Sequence, residues 1–166
     1  MLASSNAQAG QIGTYGSCWG GQKTSAITAA GHTQKPLADL SPASLSGLAG
    51  LILEHCFGGP LSDLVTEDVK AANSNGMLLV IDDWNPGSST SAALPGTPAL
   101  AWVYVPGSQI DLVPGMPYIT GAGGTLTNSS LDGGSSSNHG YTTSPMPAGV
   151  QRLLTTADAS QTVAVA

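Results

Sequence analysis

The residues able to do chemistry fall in three short clusters, each at the end of an apolar run of strand length. Cys18-Trp19 follows Gln11–Gly16, Glu54-His55-Cys56 closes Leu51–Leu53, and Asp82-Asp83-Trp84 closes Met77–Ile81. A further candidate, His139, stands in Ser137-Asn138-His139-Gly140, which reads as a loop. Carboxylates beside an imidazole can act as general base and acid. A thiol with a depressed pKa can act as a nucleophile. In an open α/β sheet, ligands bind beyond the carboxyl ends of the strands, where the strand order reverses. Three clusters at three such ends predict one shared rim.

Each candidate also has a plainer reading. Asp82 or Asp83 can bond neighbouring loop amides, as Asp does in turns. Trp19 and Trp84, beside the acids, suit a site that stacks on sugar rings, or simply cover the edge of a lean core. His139 fits a hydrogen bond that pins its loop as well as it fits catalysis. Asp82, Asp83 and backbone carbonyls would suit Ca²⁺, but no calcium-loop spacing is present, so no metal and no cofactor are expected. For Cys18 and Cys56 three readings stand: a disulfide, two inert buried thiols, or one catalytic thiol. A bridge needs Cα atoms about 4.4–6.8 Å apart, which loops leaving neighbouring strands could provide. It would contribute roughly 3–4 kcal/mol in the chain-entropy picture. It would also consume the only thiols in the chain. The disulfide and the thiol enzyme therefore exclude each other.

The elements that must position these residues are legible up to Ile81. Gln11–Gly16 reads as a short strand leading into the turn Gly16-Ser17-Cys18-Trp19-Gly20-Gly21. Gln22–Ala30 reads as a helix with Ala26, Ile27 and Ala30 on its inner stripe, stopped by Gly31. Thr33–Leu37 is a second strand. Ser41-Pro42 opens a short helix, an N-cap Ser followed by Pro at the first helical position. Leu48–Leu53 is a continuous apolar run, as expected of a strand covered on both faces. Thr66–Asn75 is the next helix, with Glu67 and Asp68 in its first turn, and Met77–Ile81 is the clearest strand. Alternation of this kind predicts a parallel sheet with right-handed crossovers, in an order such as 2-1-3-4.

The remainder is less regular. Asn85–Pro98 reads as a lid-length loop. Ala99–Val105 and Gln109–Val113 read as strands broken by Pro106-Gly107. Gly121–Thr143 reads as a long ordered excursion, Pro147–Leu154 as a helical turn, and Thr162–Ala166 as a last strand after which the natural protein is expected to continue.

Composition narrows the function classes. Charged residues are 8% of 166, against about 25% in ordinary soluble domains. Solubility must rest on neutral Gly, Ser, Thr and Asn. Four cations, Lys23, Lys35, Lys70 and Arg152, against ten acids cannot build a phosphate-tracking surface, so nucleic acid is a poor partner. No run approaches 18 apolar residues, so no membrane span is expected. Met1–Gly10 lacks the basic and apolar regions of a signal peptide. Export would depend on a segment outside these residues.

Thr125-Leu126-Thr127, Leu131-Asp132-Gly133-Gly134, Ser137-Asn138-His139-Gly140-Tyr141 and Pro147-Ala148-Gly149 together resemble exported bacterial proteins that carry C-terminal sorting tails of the PEP-CTERM kind. Their domain is similar to the class I glutamine amidotransferase and ThuA superfamily. The resemblance implies a flavodoxin-like three-layer α/β sandwich, here a single domain over 1–166, secreted or displayed on a bacterial surface. It does not carry over the amidotransferase triad: no Gly-x-Cys-x-Gly elbow is expected, Cys56 lies in His55-Cys56-Phe57-Gly58, and no His-x-Glu follows in the chain.

The resulting expectation is a non-catalytic module for binding or assembly, with itself or an extracellular glycan as partner. Its rival is a hydrolase, with a glycan as the candidate substrate, Asp82 or Glu54 as base, His139 assisting, and Cys56 as nucleophile if free. In either case the rim would be built from Trp19, Glu54, His55, Asp82, Asp83, Trp84 and His139.

Overall fold

The computed structural model of the chain describes residues 9–17, 22–55, 60–83, 103–116, 119–121, 124–131, 137–143, 145–146 and 148–165. In the first half, β1 (Gln11–Tyr15), α1 (Gln22–Ala29), β2 (Thr33–Pro36), α2 (Pro42–Leu45), β3 (Leu48–His55), α3 (Glu67–Ser74) and β4 (Leu78–Asp83) follow in order. A 3₁₀ turn, Leu61–Asp63, precedes α3. The four strands form one parallel sheet in the order β2-β1-β3-β4. This is the strand order of a flavodoxin-like α/β fold, as the alternation predicts.

Local chemistry explains each element. Ser41 caps α2 by accepting from Ser44 N, with Pro42 at the first helical position. Thr66 caps α3 by accepting from Val69 N at 3.3 Å, with Glu67 and Asp68 against the positive helix end. Each such cap is worth about 1 kcal/mol. Pro36, which has no amide proton to donate, is accommodated in β2 at the end of the strand order, the position where a sheet tolerates it.

The chain steps one way from β1 to β2 and the other way from β2 back to β3 and β4. With right-handed crossovers this puts α1 on one face and α2 and α3 on the other. The second face carries the core. Leu45, Leu48, Leu51, Leu53, Leu61, Val65, Val69 and Met77 form one buried cluster, and Leu79 and Ile81 of β4 pack against it. Gly13 makes room there, since a Cβ on it would collide with the side chain of Leu48 and crowd those of Leu37 and Leu51.

The α1 face is thinner and held by polar groups. The stripe expected on α1 is corrected: Ala26 and Ala30 are exposed, and Ile27 is the buried residue. Lys23, four positions earlier and so on the same side of the helix, is half-buried. Thr24 Oγ1 donates to Gln34 Oε1 at 2.6 Å, and Gln34 Nε2 donates to buried Thr14 Oγ1 at 2.9 Å. Beside this layer, Leu78 and Val80 of β4 remain 63% and 44% exposed.

The second half is built from small antiparallel sheets. Its elements are β5 (Val103–Ser108), β6 (Ile110–Leu112), β7 (Thr120–Gly121), β8 (Gly124–Thr125), α4 (Asn128–Leu131), β9 (Ser137–Tyr141), β10 (Arg152–Thr156) and β11 (Thr162–Val165). They pair as β11-β10-β6, β5-β9 and β7-β8. Thr142 and Thr162 exchange backbone bonds of 2.8 and 2.9 Å, joining the end of β9 to β11. Three expectations are corrected here. Pro106-Gly107 does not end β5; it falls where the pairing with β9 shifts register between Val105 and Ser108, as at a bulge. The helical turn expected in Pro147–Leu154 gives way to β10 after a turn at Ala148-Gly149. His139 lies in β9, paired with Val105, and not in a loop.

Two predictions follow from this architecture. Leu51→Ala, which empties a fully buried site, should cost about 2–5 kcal/mol in urea unfolding; Leu78→Ala should change stability by only about 0.5 kcal/mol or less. The second concerns acid. Bonds from the Ser41 and Ser44 hydroxyls and the Ser41 amide hold Asp39 down from 3.8 to about 2. The Thr156 hydroxyl and the Ser160 amide and hydroxyl do the same for Asp158, from 3.8 to about 2. Because both carboxyls are depressed on folding, their contribution is complete above pH 3.8 and is lost as pH falls toward about 2. An Asp39→Asn, Asp158→Asn variant should therefore show a shallower loss of stability across that window, measured by urea melts at stepped pH.

Candidate functional site

The strands place the sequence candidates more firmly than the apolar runs suggest. β3 runs to His55 and β4 to Asp83, so these residues lie within strands and not past them. The register continues to the last pairs, Glu54 with Asp82 and His55 with Asp83. Side chains alternate faces along a strand, so the rim divides. Glu54 and Asp82 share the α1 face, while His55 falls on the face of α2 and α3, with Asp83 as its register partner. Glu54 and His55, consecutive in one strand, therefore point to opposite faces. Glu54 and His55 are buried at 6% and 7% exposure, while Asp82 is exposed.

The α1 face holds the best-defined polar arrangement. Lys23 Nζ meets Glu54 Oε2 at 2.6 Å and donates to the Gly16 carbonyl at 3.1 Å. The Glu54 side chain is 4% exposed and that of Lys23 16%. This clasp joins the first turn of α1, the end of β1 and the end of β3. It lies at the switch point, because β1 is the strand from which the chain steps outward in one direction and β3 begins the steps in the other. Gly16 is required by the approach: its φ is +96°, and a Cβ there would collide with the Glu54 carbonyl oxygen. Among the candidate bases, Glu54 is thus already engaged by a cation.

The other candidates are placed as follows. β1 and β3 are parallel neighbours with Tyr15 opposite Leu53, so the links that carry Cys18 and Cys56 leave adjacent strands. Cys18, Trp19, Cys56 and Trp84 lie outside the described residues, and the disulfide expected between Cys18 and Cys56 falls there too. For Asp83 and His139 only the backbone position is described. His139 has Val105 of β5 as its register partner, so its strand pairs in a different sheet from the one that forms the rim. Among the described residues, no group of three or more His, Cys, Asp or Glu could hold a metal ion. No described helix is long and apolar enough to cross a membrane.

Two features escape the sequence reading. Lys23 carries no motif; only its place in the first turn of a helix after a strand-end Gly hints at its role. The second is the spacing Gly16-Ser17-Cys18-Trp19-Gly20, a cysteine flanked by glycines between β1 and α1. A nucleophile elbow has this form on a strand-to-helix turn, so the expectation that the chain has no Gly-x-Cys-x-Gly spacing is corrected at Cys18. An open cleft of about 360 Å³ lies elsewhere, between α2 and α3, with Leu45, Leu48, Ala72 and Met77 among its lining and Asp68 its one carboxylate. Leu48 starts β3 and Met77 precedes β4, so this cleft opens at the amino end of the sheet, opposite the rim.

The clasp makes a clear prediction. Lys23→Met leaves Glu54 buried without its cation and should cost about 2–3 kcal/mol, below the roughly 3–5 of a fully enclosed pair because Lys23 keeps some solvent. Adding Glu54→Gln should recover part of that loss, and a double-mutant cycle by urea unfolding reads the coupling. Strict additivity would show that the two groups do not interact. Comparison with known proteins finds no matching family model, no matching curated protein and no matching solved structure.

Proposed function

We propose that this chain is a non-catalytic module for binding or assembly, exported to the cell surface or extracellular matrix of a bacterium, with a second copy or an extracellular glycan as partner. The observation that carries the reading is the Lys23–Glu54 clasp. It commits the most buried described acid at the switch point to an ion pair, so that this part of the rim fastens α1 to the sheet. The composition supports the same reading. With 8% charged residues, the surface has little like-charge repulsion to oppose lateral association. The exposed side chains of Leu78 and Val80 add apolar area of the kind that favours it. The flavodoxin-like sheet agrees with the amidotransferase-like resemblance at the level of fold, which leaves activity open. Sedimentation velocity over a wide concentration range tests assembly: the weight-average mass should rise with concentration. A strictly monomeric protein at the highest concentration would remove self-association and leave glycan binding as the remaining form of the proposal.

A second reading rests on Cys18. Its glycine-flanked position between β1 and α1 is where a hydrolase would hold a thiol nucleophile, with Asp82 and His139 as the carboxylate and imidazole that reading would recruit. Thiol titration of denatured, unreduced protein separates the two. Zero free thiols is the expected result, since a Cys18–Cys56 bridge consumes both. Two free thiols would favour the hydrolase.

A further inference from the structure

We draw no further inference here: the strongest candidate, the exposed apolar stripe of Leu78 and Val80 on the α1-side face of β4, has nothing among the described residues to show what covers it.

Discussion

The structure depends on β3 being paired on both sides. With β1 on one edge and β4 on the other, its backbone amides and carbonyls have strand partners in both directions, which a buried strand requires. Its side chains then supply both layers. Leu51 and Leu53 reach into the cluster under α2 and α3, while Glu54 turns to the α1 side and takes the ion pair with Lys23. The strand that anchors the core therefore also fixes the polar end of the sheet, and a change of one residue in its register would exchange the two.

The two faces are held by different physics. Under α2 and α3, burial of Leu, Val and Met supplies the hydrophobic term, at about 25 cal/mol per Å² of apolar area. Over the other face, α1 contributes, among the described residues, a single buried apolar one, Ile27. Among the described residues, its polar attachments include the Lys23 clasp and the chain from Thr24 through Gln34 to Thr14. His32 adds a further tie, its Nδ1 accepting from Gly10 N at 3.1 Å ahead of β1. A helix of this composition could not stay docked by burial alone, so directional bonds take over.

The same economy governs the few cations. Lys23 serves Glu54, Lys35 donates to the Ser44 carbonyl at 3.0 Å, and Lys70 pairs with Glu67 at 2.8 Å on the surface of α3. Arg152 is exposed on β10. The lysines thus act within the fold. The exposed Lys70–Glu67 pair adds little to stability; the half-buried Lys23 decides how α1 sits.

By itself, the sequence determined the alternating α/β first half. Ser41-Pro42, Thr66 with Glu67 and Asp68, and the apolar runs beginning at Leu48 and Met77 are local signals, and each produced its element close to the expected bounds. The strand ends were less legible: Glu54, His55, Asp82 and Asp83 have poor strand propensity, and pairing between β3 and β4 carries them on as strand regardless. In the second half, Pro106-Gly107 reads as a break, yet pairing with β9 absorbs it as a register shift. Which candidates meet was also invisible, because the register between β3 and β4 decides whether Glu54 lies opposite Asp82 or Asp83. Only the tertiary structure brought Lys23 to Glu54 and Gly16, since that contact spans 31 residues of chain and follows from the crossover of α1 rather than from any local pattern.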